Sequence, residues 1–155
     1  TSIKVVQKLN YNGYQSTLNI IGSGGDEKRL KFLIKDKKDI IKMHGGIQNK
    51  EELIKMYRNS DIFIMPSFRE TFGLVYVEAM SQGLPIIYSK GQGIDGYFEE
   101  GEIGYSVEPN NILDILNKIE KIIKNYNKIS HNCTKLARNF SWQKIAKEYV
   151  QIYYS

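Results

Sequence analysis

Short apolar runs alternate with longer amphipathic stretches through most of this chain, and this alternation constrains the fold more than any other feature of the sequence. The apolar runs end at glycine, proline or polar residues, as strands do, whereas the longer stretches carry apolar residues at helical spacing. Strands that are apolar along their whole length are buried on both faces. Their alternation with helices predicts a parallel sheet covered on both sides, which is a doubly wound α/β domain of Rossmann type.

The predicted elements follow one another with no linker or internal repeat. We expect strands over residues 18–21, 40–43, 61–65, 84–88 and 104–108. We expect helices over residues 26–35, 50–59, 72–81, 112–123, 128–139 and 142–153. Gly83 marks the end of the helix at 72–81, and Ser141 is a candidate N-cap for the last helix. The three consecutive helices at the end form a helical C-terminal tail from about residue 111.

A single domain accounts for the 155 residues, because domains usually contain about 100–200. Hydrophobic residues make up 41% and charged residues 25% of the chain, and this balance excludes a disordered or collagen-like protein. The longest apolar stretch, 62–65, is far shorter than the roughly 20 residues of a membrane-spanning helix. The single cysteine, Cys133, excludes an internal disulfide, and we expect it to pack as a small hydrophobic residue in a cytoplasmic protein.

The net charge of +5 arises from 22 basic and 17 acidic residues. The basic residues concentrate in residues 28–42 and 118–138, which are predicted to be largely helical. The simplest interpretation is that they lie on solvated helix faces, and attraction of an anionic ligand or a membrane surface is the alternative. No zinc, helix-turn-helix or RNP pattern accompanies them, so we expect no nucleic-acid partner and keep nucleic-acid binding only as a minor alternative.

Ligands of doubly wound sheets bind beyond the carboxyl ends of the strands. The corresponding segments here, 22–25, 44–47, 66–73 and 89–96, are all rich in glycine and polar residues. The first of them, Gly22-Ser23-Gly24-Gly25, would let a phosphate approach the backbone at the start of a helix. It lacks the rest of a dinucleotide or Walker A pattern, and a tight structural turn explains it equally well.

The most informative segment runs from Pro66 to Met80 and contains two glutamates. Glu70 follows a predicted strand, and Glu78 lies about two turns into the predicted helix, on its inner side, where we expect a buried carboxylate. Burial costs several kcal/mol unless donors satisfy the carboxylate, and the two hydroxyls of a sugar diol would do so. The free N–H groups at the helix start, near 71–74, would bind a diphosphate. A capped helix with two ordinary surface glutamates explains the same residues, so residue types alone leave both interpretations open.

Glu70 and Glu78 enclose seven residues, and this E-x7-E spacing resembles the pattern of retaining nucleotide-sugar glycosyltransferases with the GT-B fold. The flanking Met65-Pro66-Ser67 and Gly83-Leu84-Pro85 resemble the signature of glycosyltransferase family 4. The resemblance covers nearly the whole chain. The other segments that match the family are 19–24, 44–47, 91–95 and 141–153, together with Gly101, Gly104 and Pro109.

The resemblance implies a role for each matched residue. Glu78 would bind the ribose hydroxyls of the donor. Glu70 would bind hydroxyls of the donor sugar beside the reacting carbon, which makes it the implied catalytic residue. The other implied donor-binding residues act through their backbone: Phe72, Gly73 and Leu74 toward the sugar and diphosphate, Gly22 and Gly24 along the phosphates, and Gly46 and Ile47 at the edge of the base.

The implied reaction transfers a sugar, with retention of configuration, from a UDP- or GDP-linked donor to a hydroxyl acceptor in polysaccharide, glycolipid or glycoconjugate synthesis. A donor phosphate oxygen would help to take the acceptor proton on the front face, while cations and a helix dipole stabilise the leaving group. The sequence has no D-x-D motif, which agrees with the metal independence usual for GT-B enzymes. No cofactor is implied, because the nucleotide sugar is a substrate.

The resemblance concerns only the C-terminal, donor-binding half of a GT-B enzyme. We therefore expect residues 1–155 to form one nucleotide-sugar-binding domain, with the N-terminal acceptor domain absent. Residues 2–9 resemble the first helix of that half, so the strand before it and the cation pair that binds the diphosphate are missing. We expect weak donor binding, no transferase activity of the isolated chain, and exposed apolar surface on the closing helix with Trp142. We expect a cytoplasmic location, with attachment to the inner membrane face as the alternative.

Three other functions remain compatible with the residues. They are a non-catalytic nucleotide-sugar-binding or interaction module, a basic domain that binds nucleic acid or membrane, and a GT-B epimerase or phosphorylase. Among the minor candidates for a site, we expect His44 and His131 at the solvent edge. We expect Tyr149, Tyr153 and Tyr154 to pack along one helix face.

Overall fold

The structure is a computed structural model in which residues 1–154 are described, and it confirms the predicted alternation of helices and strands. The helices are α1 Ser2–Tyr11, α2 Glu27–Leu33, α3 Lys50–Arg58, α4 Leu74–Ser81, α5 Ile112–Lys124, α6 Tyr126–Ala137 and α7 Trp142–Tyr154, with a 3-10 turn at Arg138–Phe140. The strands are β1 Leu18–Ile21, β2 Ile41–Gly45, β3 Phe63–Ile64, β4 Ile86–Ser89 and β5 Gly104–Val107. The predicted helical tail consists of α5, α6 and α7.

The sequence predicts that helix α4 begins at Phe72, but in the structure it begins at Leu74. The conformation of Gly73 is the reason. This glycine is in the left-handed region, with φ 78°, and a Cβ atom there would lie 2.5 Å from the Tyr76 ring. Glycine avoids both the strain and the overlap, so the chain turns into the helix at this residue. Just beyond the C-terminal end of α4, Gly83 has φ 87°. This left-handed conformation is typical of a glycine that ends a helix, as predicted for Gly83.

All strand pairs are parallel, as expected, but they form two sheets instead of one. β1 pairs with β2, while β3, β4 and β5 form the second sheet in that order. β1 and β3 are not paired with each other, and both line a cavity of about 1000 Å³. The predicted α/β architecture with parallel strands is confirmed, and because none of residues 1–154 forms a strand between β1 and β3, the described strands group into two sheets.

The strands also differ in burial. All four residues of β4 are buried, so this strand is covered on both faces. β3 is half-buried, and β1 and β2 contain exposed residues. The prediction of strands buried on both faces is thus confirmed for β4 and wrong for β1, β2 and β3, which lie at a sheet edge or beside the cavity.

The main hydrophobic core surrounds β4 and includes residues of α4, α5 and α6. A second, much smaller cluster joins α1, β1 and β2. Its buried members are Val6, Leu18, Ile34 and Ile41. Cys133 on α6 is fully buried in the main core, as predicted. Its thiol donates to the carbonyl oxygen of Ile103 at 3.2 Å, and burial raises its pKa to about 12, so the thiol stays neutral.

Helix α7 presents an exposed apolar surface. Trp142 is 75% exposed and Tyr154 is 88% exposed, which confirms the expected exposure of the closing helix. The prediction that Tyr149, Tyr153 and Tyr154 pack is wrong, since all three are exposed. The reason is that α7 lies mainly against the preceding turn Arg138–Phe140 and is not covered by the core.

The start of α7 is capped as predicted. The Ser141 hydroxyl accepts from the Lys144 N–H group at 3.4 Å. The helix spans 13 residues, fewer than the roughly 20 that cross a bilayer. Among residues 1–154, no helix is both long and apolar enough to do so.

Candidate functional site

The glycine-rich loops that follow β1 and β2 lie side by side. The N–H group of Gly22 donates to the carbonyl oxygen of Gly45 at 2.7 Å, and a Cβ atom on Gly46 would lie 3.6 Å from Ser23 Oγ. Gly22 has φ 131° and Gly45 has φ 67°, conformations that favour glycine. Gly24 is exposed in the same loop. The two predicted loops therefore form one glycine-rich surface at the carboxyl edge of the first sheet.

Glu70 is held in the loop between β3 and α4 by the turn that follows β4. Its N–H group donates to Gln92 Oε1 at 3.2 Å, and its carbonyl oxygen accepts from the Gly93 N–H group at 3.3 Å. Its carboxylate accepts from the Thr71 N–H group at 3.0 Å. A Cβ atom on Gly93 would lie 2.9 Å from Glu70 Cγ, so glycine is needed for this close approach. The turn at 91–95 thus contacts Glu70.

Glu78 lies on α4 and is exposed, so the prediction of a buried carboxylate is wrong. The physical reason is that this side of α4 faces the cavity between β1 and β3. Glu78 Oε2 accepts from the Tyr57 hydroxyl at 3.3 Å. Tyr57 is buried, and burial first, followed by the charge of Glu78, raises the pKa of Tyr57. The tyrosine hydroxyl therefore stays protonated and orients the carboxylate.

A row of aromatic side chains lies behind both glutamates. Phe63 on β3 packs edge-on against Tyr57 and Tyr76, with ring centroids 6.1 and 5.7 Å apart. Tyr76 is buried, and its hydroxyl donates to the carbonyl oxygen of Met65 at 2.7 Å. Burial, and to a smaller extent the charge of Glu70, raises the pKa of Tyr76 to about 12. A buried tyrosine of the same row therefore interacts with each glutamate.

The first turn of α4 has no capping side chain. The N-cap residue is Gly73, which has no side chain that could accept from the free N–H groups of the helix start. The Tyr76 N–H group donates to the Gly73 carbonyl oxygen at 2.9 Å, whereas those of Leu74 and Val75 have no acceptor within the helix. Leu74 is 60% exposed and Val75 36% exposed. Free N–H groups at a helix start attract anions, so this turn is suited to a phosphate.

Phe72 is held by aromatic side chains that come from later in the chain. Its ring centroid lies 5.3 Å from that of Tyr97 and 5.5 Å from that of Phe140. Sequence reasoning missed both of these residues, and it also missed Tyr57 and Gln92 as partners of the glutamates. Of these four residues, only Gln92 could have been found from the sequence, because it lies in the glycine-containing segment 91–95 that resembles the family.

The predicted donor-binding residues fall into two groups. Those that line the cavity between β1 and β3 are Gly22, Gly46, Ile47 and Glu78. Those outside its lining are Gly24, Glu70, Phe72, Gly73 and Leu74. The two glutamates of the E-x7-E segment thus belong to different surfaces, which meet at the uncapped start of α4.

The two histidines are exposed, as predicted. His44 Nε2 lies 2.9 Å from Asn19 Oδ1 and links β2 to β1. Lys28 and Arg29, the cations nearest in sequence to the first glycine-rich loop, are exposed on α2. Within the described part of the chain, no three His, Cys, Asp or Glu side chains are grouped so that they could hold a metal ion.

Sequence comparisons connect this geometry with known proteins. The family profile described as Glycosyl transferases group 1 matches residues 1–140. The capsular polysaccharide biosynthesis glycosyltransferase CapM of Staphylococcus aureus is 32% identical over 150 residues, which cover 91% of this chain and 38% of CapM. The chain therefore spans less than half the length of this relative.

Solved structures share the fold. The pneumococcal O-GlcNAc transferase GtfA, in complex with UDP and GlcNAc, superimposes with a TM-score of 0.82 at 23% identity, covering 97% of this chain and 31% of that chain. The C-terminal domain of the glycosyl transferase group 1 family protein LpcC from Francisella tularensis superimposes with a TM-score of 0.75 at 26% identity. The match covers 90% of this chain and 76% of the LpcC domain. Residues 1–154 thus have the fold of the C-terminal half of GT-B proteins.

Proposed function

The chain belongs to the glycosyl transferases group 1 family, and from this premise we propose that it is the donor-binding domain of a retaining, family 4-like glycosyltransferase. The enzyme transfers a sugar from a UDP- or GDP-linked donor to a hydroxyl of a polysaccharide, glycolipid or other glycoconjugate. It requires neither a metal ion nor a cofactor. The acceptor binds to a separate N-terminal domain, and the whole enzyme works in the cytoplasm or at the inner membrane face.

The observation that supports this function most is the uncapped start of α4 between Glu70 and Glu78. A diphosphate bound to the N–H groups of Leu74 and Val75 would leave the sugar within reach of Glu70 and the ribose within reach of Glu78. Glu78 is exposed and therefore accessible to a ribose diol. The two hydroxyls of a diol match the two oxygens of a carboxylate.

The chemistry follows from positioning and charge stabilisation. Glu70 is fixed by the hydrogen bond from Thr71 and by the turn at 91–95, so it meets the sugar hydroxyls in a defined position. When the bond between the anomeric carbon and the diphosphate breaks, negative charge grows on the leaving diphosphate. The N–H groups at the start of α4 stabilise that charge. A donor phosphate oxygen takes the proton of the acceptor hydroxyl, and the new bond forms on the same face of the sugar.

The names of the compared proteins support a nucleotide-sugar donor. GtfA is an O-GlcNAc transferase that was crystallised with UDP and GlcNAc. CapM is named for capsular polysaccharide biosynthesis. UDP-sugars are therefore the first donors to test on this chain, followed by GDP-sugars.

Ligand-observed NMR with UDP-, GDP- and ADP-sugars tests the proposed donor site. We expect one nucleotide class to bind the wild-type chain and Glu78→Gln to weaken that binding at least about tenfold, because a charge-assisted contact to the ribose is lost. Glu148→Gln, a change of an exposed glutamate on α7, is the matched control and should bind like wild type. If no nucleotide sugar binds the wild-type chain at millimolar concentration, the proposal of a donor site fails.

A further inference from the structure

The basic stretch at residues 28–42 is not used by the candidate donor site. It begins in α2 and ends in β2, and from Asp26 to Lys42 the sequence contains seven basic and four acidic residues, a net charge of +3. The whole chain has a net charge of +5, so more than half of it lies here. Within residues 1–154, β2 pairs with β1 alone, and β1 lies between β2 and the cavity. The stretch therefore forms the outer edge of the first sheet.

Four lysines surround a basin of about 490 Å³ at this edge, which we call the lysine basin. They are Lys31, Lys35, Lys38 and Lys42. The floor of the basin is apolar and consists of Ile34, Ile41 and Met43. Lys31 forms an ion pair with Glu27 at 2.6 Å. The other three lysines have no ion-pair partner among the residues that the structure describes, so their charges are free to meet an anionic surface.

Beside the lysine basin, α2 exposes two adjacent apolar side chains. Phe32 is 79% exposed and Leu33 is 46% exposed. Helical periodicity places Phe32 on the side of α2 that is opposite to Leu30, which lines the large cavity. Lys28 precedes Phe32 by one turn on that outward side, and it is exposed as well. An apolar ring therefore projects from the molecule with lysines on both sides of it.

A bilayer surface with anionic headgroups matches this combination of charge and exposed ring. The negative surface attracts the lysines, and an aromatic ring among them enters the boundary of the acyl chains. Lysine stems lie along such a boundary while their charged ends stay with the headgroups. A folded acidic protein is a poorer match, because a specific interface buries about 800 Å² on each partner. Within this described stretch, the exposed large apolar side chains are those of Phe32 and Leu33 alone.

We propose that α2 and the lysine basin form a surface that binds anionic lipid membranes, with Phe32 in the acyl boundary and the lysines at the lipid phosphates. The placing of a donor domain at a membrane rests on the proposed function, since a glycolipid acceptor lies in the same bilayer. Vesicle binding is measured without nucleotide, and nucleotide binding is measured without vesicles. Failure of this proposal and failure of the proposed function are therefore distinguishable.

Flotation of the whole chain with lipid vesicles tests the proposal. We expect vesicles of phosphatidylcholine and phosphatidylglycerol in equal amounts to bind the chain at least about tenfold more tightly than vesicles of phosphatidylcholine alone. The reason is that each lysine near an anionic surface contributes about fivefold. Added salt should weaken the binding, because it screens these charges. Equal affinity for the two kinds of vesicle, or tighter binding to duplex DNA than to the mixed vesicles at the same salt concentration, would overturn the proposal.

Two double variants locate the surface that binds. Lys35→Ala/Lys38→Ala removes two lysines of the basin and should weaken binding to the mixed vesicles at least about tenfold. Lys50→Ala/Lys55→Ala removes two exposed lysines of α3 and is the matched control, which should weaken binding less than about threefold. Both variants lower the net charge by the same amount. Equal losses would therefore mean that only the overall charge attracts the chain to the vesicles, and they would contradict the proposal.

A fluorescence measurement tests the insertion of the ring at position 32. The chain has one tryptophan, Trp142, so Trp142→Phe gives a background in which Phe32→Trp supplies the sole indole. We expect its emission to shift to shorter wavelength with the mixed vesicles, because the indole leaves water at the acyl boundary. Phe68→Trp in the same background is the control, at a side chain that is 66% exposed before α4, and its emission should not shift. An unshifted emission at position 32, or an equal shift at position 68, would overturn the proposal. If the Phe32→Trp variant does not fold, the two lysine variants still decide.

Discussion

The β1–β2 part and the β3–β5 part of the molecule are built from the same alternation of apolar runs and helices, yet they differ in how they are buried. β4 is covered on both faces by the main core. β1 and β2 pack against a much smaller hydrophobic cluster and contain exposed residues. The difference teaches that an apolar run predicts a strand but does not say whether both its neighbours in the sheet are present.

The candidate site contains residues from both parts of the molecule. Glu70, Glu78 and the start of α4 belong to the well-packed part, behind which lies the row of Tyr57, Phe63 and Tyr76. The glycine-rich loops after β1 and β2 belong to the less buried part. Regions with few buried apolar contacts open most easily, so we expect the glycine side of the site to be the more mobile.

The largest predicted effect compares a glycine from each part. A Cβ atom on Gly104 would overlap the main chain of Ile86, and φ there is 145°. We expect Gly104→Ala to lower the free energy of unfolding by more than about 4 kcal/mol or to prevent folding. Gly25→Ala, where a Cβ atom would meet nothing within 4 Å, is the matched control and should change it by less than about 1 kcal/mol. Urea denaturation measures both, and similar losses would mean that the two parts are equally constrained.

A side-chain deletion in each part sharpens the comparison. Ile87 on β4 is fully buried, whereas Ile20 on β1 is half-buried beside the cavity. We expect Ile87→Ala to lower the free energy of unfolding by about 2–5 kcal/mol. Ile20→Ala should lower it by less than half of that amount. Thermal and urea unfolding provide the measurement. If Ile20→Ala costs as much as Ile87→Ala, the β1–β2 part is better packed than its burial indicates.

The next prediction concerns the turn that holds Glu70. Gly93→Ala would force a methyl group against Glu70 Cγ at a residue with φ 57°. We expect the carboxylate to move, so the variant should lose at least about tenfold in affinity for the nucleotide sugar and keep its affinity for the free nucleotide. Gly91→Ala, at a positive φ of 69° but with open space around it, controls for backbone strain. Equal losses for nucleotide and nucleotide sugar would contradict a role of Glu70 toward the sugar.

The smallest effect is expected at Tyr76. Its pKa of about 12 exceeds the ordinary value of 10 because the side chain is buried, so the folded state favours the neutral hydroxyl. This contribution to stability is complete below pH 10 and is lost as the pH rises from 10 toward 12. We expect Tyr76→Phe to cost about 0.5–1.5 kcal/mol near neutral pH, through loss of the bond to Met65. It should also flatten the fall in stability above pH 10. An unchanged slope in alkaline urea titrations would show that Tyr76 does not cause it.

Much of the site was predictable because its signals are local. The spacing of Glu70 and Glu78, the glycine-rich loops and Gly83 can be read within a few residues, and the structure places them on the expected strands, loops and helix. The partners of the glutamates were not predictable in this way. Tyr57 and Gln92 lie 21 and 22 residues from the glutamates that they bond, and no spacing rule connects them.

The sequence by itself determined the order and type of the elements, the parallel pairing of the strands and the segment that carries both glutamates. These depend on periodicity, turn residues and short spacings, which act over a few residues. The tertiary structure alone decided that the strands form two sheets, that Glu78 is exposed, and that a cavity lies between β1 and β3. Burial and strand pairing depend on what lies across space from a residue, and an apolar run is the same whether or not its neighbour is present.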